Sequence, residues 1–151
     1  LVLVLDQITD PHNVGAILRS AVAFGVDAVL ITHRQSATET ATLAKSASGA
    51  LDLIPVIDIR NLSKAINELN GMGFYSIGLD SEGDTVLEVS VAAANKQPIA
   101  LVLGSEGRGL REQTRASCSS LARLDMPGAI QSLNVSNAAA LALYIARGTS
   151  N

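Results

Sequence analysis

The chain has 151 residues, of which 48% are hydrophobic and 17% are charged, and its formal net charge is −3. This composition excludes an extended, highly charged disordered chain and predicts one globular domain with a buried core. The acidic balance also lacks the basic excess that is typical of nucleic-acid-binding proteins.

Short apolar runs alternate along the chain with helical patterns, which is typical of a mostly parallel α/β sheet flanked by helices. The apolar runs are nearly continuous in Val, Ile and Leu, and they predict the strands Val2–Leu5, Ala28–Ile31, Leu53–Ile57, Tyr75–Leu79, Ile99–Leu103 and Leu121–Leu124. The patterns between them predict the helices Val14–Phe24, Thr40–Ser46, Lys64–Asn70, Leu110–Arg115 and Val135–Arg147. The segment Asp80–Lys96 is compatible with a loop, a short strand or a helical turn.

Several polar residues and one glycine stand where helices are predicted to begin or end. Asn13 is suited to cap the first helix, and Gly25 is suited to end it. Either Ser63 or Asn61 can cap the third helix, depending on where that helix begins.

The last predicted helix is apolar almost all round its axis. A helix of this kind has to be buried on every side, and a subunit interface is one way to achieve this. A helix that docks on the sheet and leaves a small exposed patch is an equally good interpretation.

The segment Asp10–Arg19 reads DPHNVGAILR and lies where a strand ends and a helix begins. Ligands of open α/β sheets bind at such junctions. Asn13 and Arg19 are the candidate functional residues, against the simpler interpretations of a helix cap and a surface charge. His12 is a loop histidine to which we give little weight.

The segment Leu101–Leu110 reads LVLGSEGRGL, an apolar strand that leads directly into a glycine-rich loop. Its glycines allow the backbone to approach a ligand closely, but their spacing matches neither a phosphate loop nor a dinucleotide fingerprint. Glu106 stands beside Arg108, and a surface ion pair is the simpler interpretation. The surrounding stretch Arg108–Arg123 is rich in arginine, for which a solvated helix face is favoured over a phosphate-binding surface.

The segment Leu124–Ser136 reads LDMPGAIQSLNVS, a strand end, a Pro-Gly loop and the start of the last helix. Ser132 and Asn134 are good cap residues, and a helix start also offers free N–H donors to a ligand. The apolar side chains of the segment could flank an adenine ring or belong to the core.

Together and in this order, the three segments resemble the signature motifs of the SpoU/TrmH family. The matching patterns are Asn-x-Gly-Ala-x-x-Arg followed by Ala-Phe-Gly, then Leu-Gly-Ser-Glu-Gly-x-Gly, then Ser-Leu-Asn-Val-Ser. The resemblance covers the chain from about Leu3 to Arg147.

The resemblance implies an S-adenosylmethionine-dependent RNA ribose 2′-O-methyltransferase with the fold of the SPOUT superfamily. It further implies a deep C-terminal trefoil knot, which a general rule on chain topology disfavours. Also implied is a homodimer that packs through the last helix. No apolar run is long enough to span a bilayer, and we expect a cytoplasmic protein without a membrane or a metal ion. Cys118, as the single cysteine, excludes an internal disulfide.

By position, the resemblance implies a catalytic group consisting of Asn13, Arg19, Glu106, Ser132 and Asn134. It implies a cofactor pocket lined by Leu103, Gly104, Leu124, Met126 and Leu133. The family usually has Ile-Pro-Met where this chain has Leu124-Asp125-Met126, and we expect the pocket to tolerate the change.

The substrate is less well defined, because family members act on tRNA or on large-subunit rRNA. General similarity, especially near Lys45–Val56, favours the 23S rRNA guanosine branch, with tRNA methylation or a non-catalytic RNA-binding module as alternatives. We expect residues 1–151 to be the catalytic domain of a longer protein, whose N-terminal substrate-recognition domain is absent.

Overall fold

The computed structural model of the chain describes residues 1–32 and 37–148. Its strands are β1 Val2–Asp6, β2 Ala28–Ile31, β3 Val56–Asp58, β4 Tyr75–Leu79, β5 Thr85–Val86, β6 Ile99–Gly104 and β7 Ser120–Arg123. Its helices are α1 Pro11–Ala23, α2 Ala37–Ala47, α3 Leu62–Gly71, α4 Leu87–Ala93, α5 Glu112–Ser117 and α6 Val135–Gly148.

Within the described residues, the seven strands form one sheet in the order β3-β2-β1-β6-β4-β7-β5. Every neighbouring pair of strands runs parallel. The predicted α/β class with a parallel sheet is therefore confirmed. In the same described part, no helix combines the length and the apolar character needed to cross a membrane.

The sheet is covered by helices on both faces because successive residues of its central strands, which point to opposite faces, are apolar. Leu3 and Leu5 of β1 pack in the larger core, together with buried side chains of α1, α2, α4 and α6. Val2 and Val4 of the same strand pack in the smaller core on the other face, with Leu62 of α3. The two cores fix both faces of the sheet and leave its carboxyl edge for the connecting loops.

The first helix begins three residues earlier than predicted, and Asn13 does not cap it. Asp10 is the N-cap: its carboxylate accepts the N–H of His12 at 2.9 Å, and Pro11 occupies the first turn. Proline is favoured there because its missing N–H would have had no helical acceptor. Gly25 follows the C-cap with φ of +70°, as expected of a glycine that ends a helix.

The third predicted strand, Leu53–Ile57, is wrong at its start. Residues Ala50–Asp52 form a 3₁₀ turn, and the strand begins only at Val56. Pro55 precedes it and has no N–H to donate to a ladder, although its carbonyl accepts the N–H of Val29 at 2.9 Å.

The segment Asp80–Lys96, for which the sequence left three structures open, contains the short strand β5 and the helix α4. Its first residues form a turn in which Asp80 Oδ1 accepts the N–H of Glu82 at 2.8 Å. Asn61 caps α3, accepting the N–H of Lys64 at 3.0 Å, which decides between the two predicted caps.

The last helix is not buried on every side within this chain. It packs against α1 and α4, and its inner face is closed by buried residues such as Leu143. Leu141 is 47% exposed and Tyr144 is 67% exposed, and the Tyr144 ring meets Phe24 edge to face at 6.2 Å. The chain alone therefore shows a docked helix with an exposed apolar patch.

Candidate functional site

A cleft of about 840 Å³ opens at the carboxyl edge of the sheet. It is bounded by the segments that follow β4, β6 and β7, and these strands are neighbours in the sheet. Because parallel strands end at the same edge, loops from distant parts of the sequence converge there. The lining residues fall in the ranges 79–82, 103–110 and 124–138, with Arg115.

The loop that follows β6 is held tightly against its own return segment. A Cβ atom on Gly104 would overlap the backbone of Gly109, so only glycine is accommodated at this position. Ser105 and Gly109 form an isolated bridge, with the N–H of Gly109 donating to the Ser105 carbonyl at 2.8 Å. The loop is thus a compact turn.

A buried carboxylate anchors the end of this loop. Asp6, at the end of β1, is fully buried, and its Oδ2 accepts the backbone N–H of Arg111 at 2.9 Å. Its Oδ1 accepts the Nε–H of the same arginine at 2.7 Å. Charge-assisted bonds to a buried carboxylate are among the stronger polar contacts in proteins, so this pair fixes the loop to the sheet.

The tip of the loop contacts the start of α6. Glu106 Oε1 accepts the N–H of Val135 at 2.9 Å, which satisfies a donor that the helix itself leaves free. Asn134 Oδ1 accepts the N–H of Ser136 at 2.9 Å and so caps the helix. Asn134 Nδ2 also donates to Asn13 Oδ1 at 3.3 Å, which connects α1 to the same point.

The segment between β7 and α6 is much less enclosed. Residues 127–134 are all exposed and form no helix or strand. Ile130 is 74% exposed and Leu133 is 38% exposed, although both are apolar. The contacts within the segment are sparse, such as Gln131 Nε2 donating to the Gly128 carbonyl at 2.5 Å.

The arginines of 108–123 serve mainly structural contacts. Arg111 binds Asp6, and Arg115 forms an ion pair with Asp80 beside the cleft. Arg123 donates to the Gly83 carbonyl at 2.8 Å.

Glu106 pairs with Val135 rather than with Arg108, so the predicted surface ion pair does not occur among the described residues.

Cys118 is partly buried and packs against the smaller core. Burial raises the pKa of its thiol to about 12, and the nearby Asp6 carboxylate adds to this effect. Its Sγ donates to the Thr114 carbonyl at 3.3 Å. The thiol is therefore protonated and unreactive near neutral pH.

The structure gathers nearly all of the predicted site residues at the cleft. All five residues predicted for a cofactor pocket line it, namely Leu103, Gly104, Leu124, Met126 and Leu133. Glu106, Ser132 and Asn134 line it too, and Asn13 is bonded to Asn134.

Arg19 is the exception among the predicted residues. It lies on α1, is exposed, and is not among the residues that line the cleft. No hydrogen bond or ion pair joins it to another residue of the described ranges. His12 does not line the cleft either, and its Nδ1 lies 3.1 Å from Ser46 Oγ.

The sequence did not predict the contribution of the segment after β4. The carboxylates of Asp80 and Glu82 belong to residues that line the cleft, and Asp6 holds the loop after β6 through its bonds to Arg111. The available signal was their position directly after apolar strands, where the carboxyl edge of a parallel sheet collects functional side chains.

The sequence resembles known proteins over nearly its whole length. The family model of the SpoU rRNA Methylase family matches residues 1–144. A 23S rRNA (guanosine-2′-O-)-methyltransferase RlmB of Xylella fastidiosa is 47% identical over 144 residues, which are 95% of this chain and 57% of that protein. An RlmB of Pseudomonas aeruginosa is 43% identical over 145 residues, with the same shares of 95% and 57%.

The fold also has a close structural counterpart. The crystal structure of the SpoU methyltransferase AviRb from Streptomyces viridochromogenes, in complex with the cofactor AdoMet, superposes with a TM-score of 0.85. It is 26% identical to this chain and is matched over 99% of this chain and 57% of its own. The chain thus spans little more than half the length of these relatives.

Proposed function

The chain belongs to the SpoU rRNA methylase family, and from this premise we propose that it transfers a methyl group from S-adenosylmethionine to a ribose 2′-hydroxyl of 23S rRNA. The observation that carries the proposal is the cleft at the carboxyl edge of the sheet. It contains every residue assigned to the cofactor, and the Glu106–Val135 and Asn134–Asn13 contacts close one side of it.

The cleft suits S-adenosylmethionine in size and in chemistry. Its volume of about 840 Å³ lies within the range of about 300–1,000 Å³ that is usual for small-molecule sites. Leu124, Met126 and Leu133 offer apolar surface for an adenine ring, and the exposed carboxylate of Glu82 suits ribose hydroxyls or an ammonium group. Bound there, the cofactor would supply a sulfonium methyl group, and its leaving group, a neutral thioether, needs no acid.

The chain's own task is to place and activate a poor nucleophile. A hydroxyl attacks only if a base takes its proton or if the developing negative charge is stabilised. We assign Asn13 and Glu106 to positioning of the substrate ribose, and Ser132 and Asn134 to ordering of the segment before α6. Asn134 is suited to this role because it caps α6 and holds Asn13 at the same time.

Arg19 is proposed as a clamp for a substrate phosphate and for the developing oxyanion. Its guanidinium remains protonated in proteins and can only donate, so it is not assigned as the base. Because Arg19 does not line the cleft of its own chain, action on the cleft of a second copy is favoured. The exposed patch of Leu141 and Tyr144 on α6 supports a homodimer through that helix.

A deep trefoil knot is proposed for the C-terminal part. Two features support it. The strand β7 lies between β4 and β5 in the sheet although it follows both in sequence. The segment 124–134 lines the same cleft as the loops after β4 and β6, and α6, which follows it, packs against α1. A crystal structure that traces 124–134 outside these loops would contradict the proposal.

The substrate assignment follows the names of the relatives, which are 23S rRNA guanosine 2′-O-methyltransferases. Incubation with 23S rRNA and tritiated S-adenosylmethionine is expected to label the rRNA at an alkali-stable linkage, since a methylated 2′-oxygen cannot attack the adjacent phosphodiester. Label in tRNA alone would contradict the substrate, and label in neither RNA would contradict the activity.

The proposed location is the cytoplasm, with Cys118 as a free thiol.

Arg19→Ala tests the clamp within the same assay. We expect the rate of methyl transfer to fall by about 100-fold or more, while calorimetric binding of S-adenosylmethionine is retained. Lys45→Ala, which removes an exposed cation from the neighbouring helix α2, is the matched control. Loss of cofactor binding in Arg19→Ala would refute the assignment.

The homodimer is tested by sedimentation at micromolar concentration. The unaltered chain is expected to sediment as a dimer, and Tyr144→Glu as a monomer with reduced methyl transfer, because a charge would be placed in the apolar patch. A monomeric unaltered chain that is fully active would contradict a clamp acting between subunits.

A further inference from the structure

A second, smaller cleft of about 360 Å³ lies on the other face of the sheet edge. It is formed where the amino end of α3 meets the amino end of α5, and its lining includes Arg60, Ser63, Arg111 and Thr114. Of these residues only Arg111, which anchors the loop through Asp6, has a role assigned above.

One buried hydroxyl in this cleft has no hydrogen-bond partner among the residues that the structure describes. Thr114 is 1% exposed, lines the cleft, and makes no side-chain hydrogen bond to any residue that the structure describes. Ser117, on the same helix, shows the usual solution, since its hydroxyl donates to the Gln113 carbonyl at 3.0 Å. Buried polar groups are nearly always hydrogen-bonded, and an exception indicates a missing ligand or water.

The other donors around the cleft favour an anion. Arg60 is exposed and forms no ion pair within the described ranges, and Arg111 binds Asp6 through Nε only, so its terminal nitrogens are unused there. Asn61 Oδ1 accepts the N–H of Lys64 in the first turn of α3, while the N–H groups of Leu62 and Ser63 before it have no helical acceptor and lie at the positive end of the helix dipole. Glu112 is the acidic residue of the lining, and it is exposed.

The position of the cleft connects it to the substrate. Leu110 lines the large cleft and Arg111 lines the small one, so adjacent residues of one anchored loop serve both. Each ribose of an RNA strand is flanked by phosphates. A strand that presents a ribose to the large cleft therefore carries phosphate groups past this loop.

We propose that the small cleft binds a backbone phosphate of the RNA substrate, through Arg60, the amino end of α3 and the Thr114 hydroxyl. This inference rests on the proposed function in so far as the RNA is the substrate of the large cleft. Its test therefore measures RNA binding separately from methyl transfer.

The direct test is fluorescence anisotropy with a labelled single-stranded RNA oligonucleotide over a range of salt concentrations. Arg60→Gln is expected to weaken binding by about 5-fold and to lower the slope of log K against log salt by about 1, because one phosphate contact is lost. Lys96→Gln removes a charge at the opposite edge of the sheet, before β6, and is expected to change neither quantity. Equal behaviour of the two variants would overturn the proposal.

Two further variants test the contribution of residues that line the small cleft to RNA binding. Thr114→Val preserves the side-chain shape and removes the unpaired hydroxyl, so we expect a melting temperature equal to or above that of the unaltered chain, together with about 3-fold weaker RNA binding. Glu112→Gln removes the opposing charge and is expected to strengthen binding by about 2-fold. Unchanged RNA affinity in both variants would contradict the assignment.

Inorganic phosphate distinguishes an RNA site from a site for the free ion. If phosphate alone binds in an Arg60-dependent manner while RNA affinity does not depend on Arg60, the proposal is wrong. A methyl-transfer assay separates the proposed phosphate site from the proposed activity. RNA binding that depends on Arg60, without methyl transfer, supports the phosphate site and contradicts the activity. Methyl transfer with RNA binding that does not depend on Arg60 supports the activity and contradicts the phosphate site.

Discussion

The two segments that face each other across the large cleft are built in opposite ways. Residues 104–110 form a turn closed by the Ser105–Gly109 bridge and anchored to the sheet through Asp6 and Arg111. The segment 124–134 has exposed apolar side chains and few internal contacts. The turn 104–110 is held in place by contacts within the chain. The segment 124–134 has exposed apolar surface that a ligand or a second subunit would cover.

This difference suggests a division of tasks in the site. A rigid wall holds groups at fixed positions, which reduces the entropic cost of binding. A segment with little buried area is more easily opened and rearranged, as ligand-binding segments commonly are. Glu106 joins the two through its bond to Val135, so the anchored loop sets the position of the start of α6.

The largest expected effect comes from filling the closest backbone approach in the anchored loop. Gly104→Ala would place a Cβ atom in the backbone of Gly109, and we expect a loss of about 3 kcal/mol in the free energy of unfolding. Gly128→Ala in the exposed segment meets nothing within 4 Å and is expected to stay within about 0.5 kcal/mol. Urea unfolding compares the two; equal losses would remove the contrast between the segments.

Removal of the charge of the anchor should have the next largest effect. Asp6→Asn weakens two charge-assisted bonds at a buried site, and we expect a loss of about 2 kcal/mol in the free energy of unfolding. Asp27→Asn is the matched control, since its side chain is 77% exposed. An Asp6→Asn variant as stable as this control would show that the loop does not depend on the anchor.

Glu106→Gln tests the connection between the two segments. It weakens the bond to the Val135 N–H and removes a negative charge near the start of α6, for an expected loss of about 1 kcal/mol. Hydrogen exchange at the Val135 amide is expected to accelerate. Glu88→Gln alters an exposed carboxylate in the first turn of α4 and should leave that amide unchanged. Unchanged exchange in Glu106→Gln would contradict the connection.

Proteolysis should distinguish the segments without any substitution. Thermolysin, which cuts before large apolar residues, is expected to cleave first within 124–134, where Ile130 and Leu133 are exposed. Saturating S-adenosylmethionine should slow this cleavage several-fold, because the proposed cofactor covers the segment. First cleavage within 104–110 would reverse the comparison.

The smallest effect concerns the thiol below the anchored loop. With the Cys118 pKa raised to about 12, reaction with a thiol reagent at pH 8 is expected to be slow and to accelerate in Asp6→Asn as the loop opens. Because the unfolded thiol ionises near pH 8.5 and the buried thiol does not, the free energy of unfolding is expected to fall as the pH rises from about 8.5 toward 12. Fast reaction in the unaltered chain would contradict burial of the thiol.

The sequence predicted the central strands well because residues such as Leu3 and Leu101 are buried between helices, which makes the runs almost continuously apolar. The motif resemblance predicted five residues of a cofactor pocket, and the structure places these five residues together in one cleft. The start of α1 was missed although Asp10-Pro11 is itself a helix-start signal, which the more conspicuous Asn13 obscured.

Other features depended on contacts between distant parts of the chain. The strand β5 has only two residues and is paired to β7, which follows it by more than thirty positions, so no local pattern marks it. The role of Asp80 and Glu82 in the cleft depends on β7 lying beside β4, a strand order that hydrophobic periodicity does not encode. The second cleft depends on the meeting of α3 and α5, which no single motif predicts.

The most direct test of the proposed cofactor cleft is calorimetric titration of the chain with S-adenosylmethionine, alongside Leu133→Asp. Leu133 is 38% exposed, so the variant is expected to fold, while its carboxylate would stand on the apolar side of the cleft. We predict saturable binding by the unaltered chain and affinity at least 10-fold weaker in the variant. No binding by the unaltered chain, or equal binding by both, would contradict the assignment of this cleft.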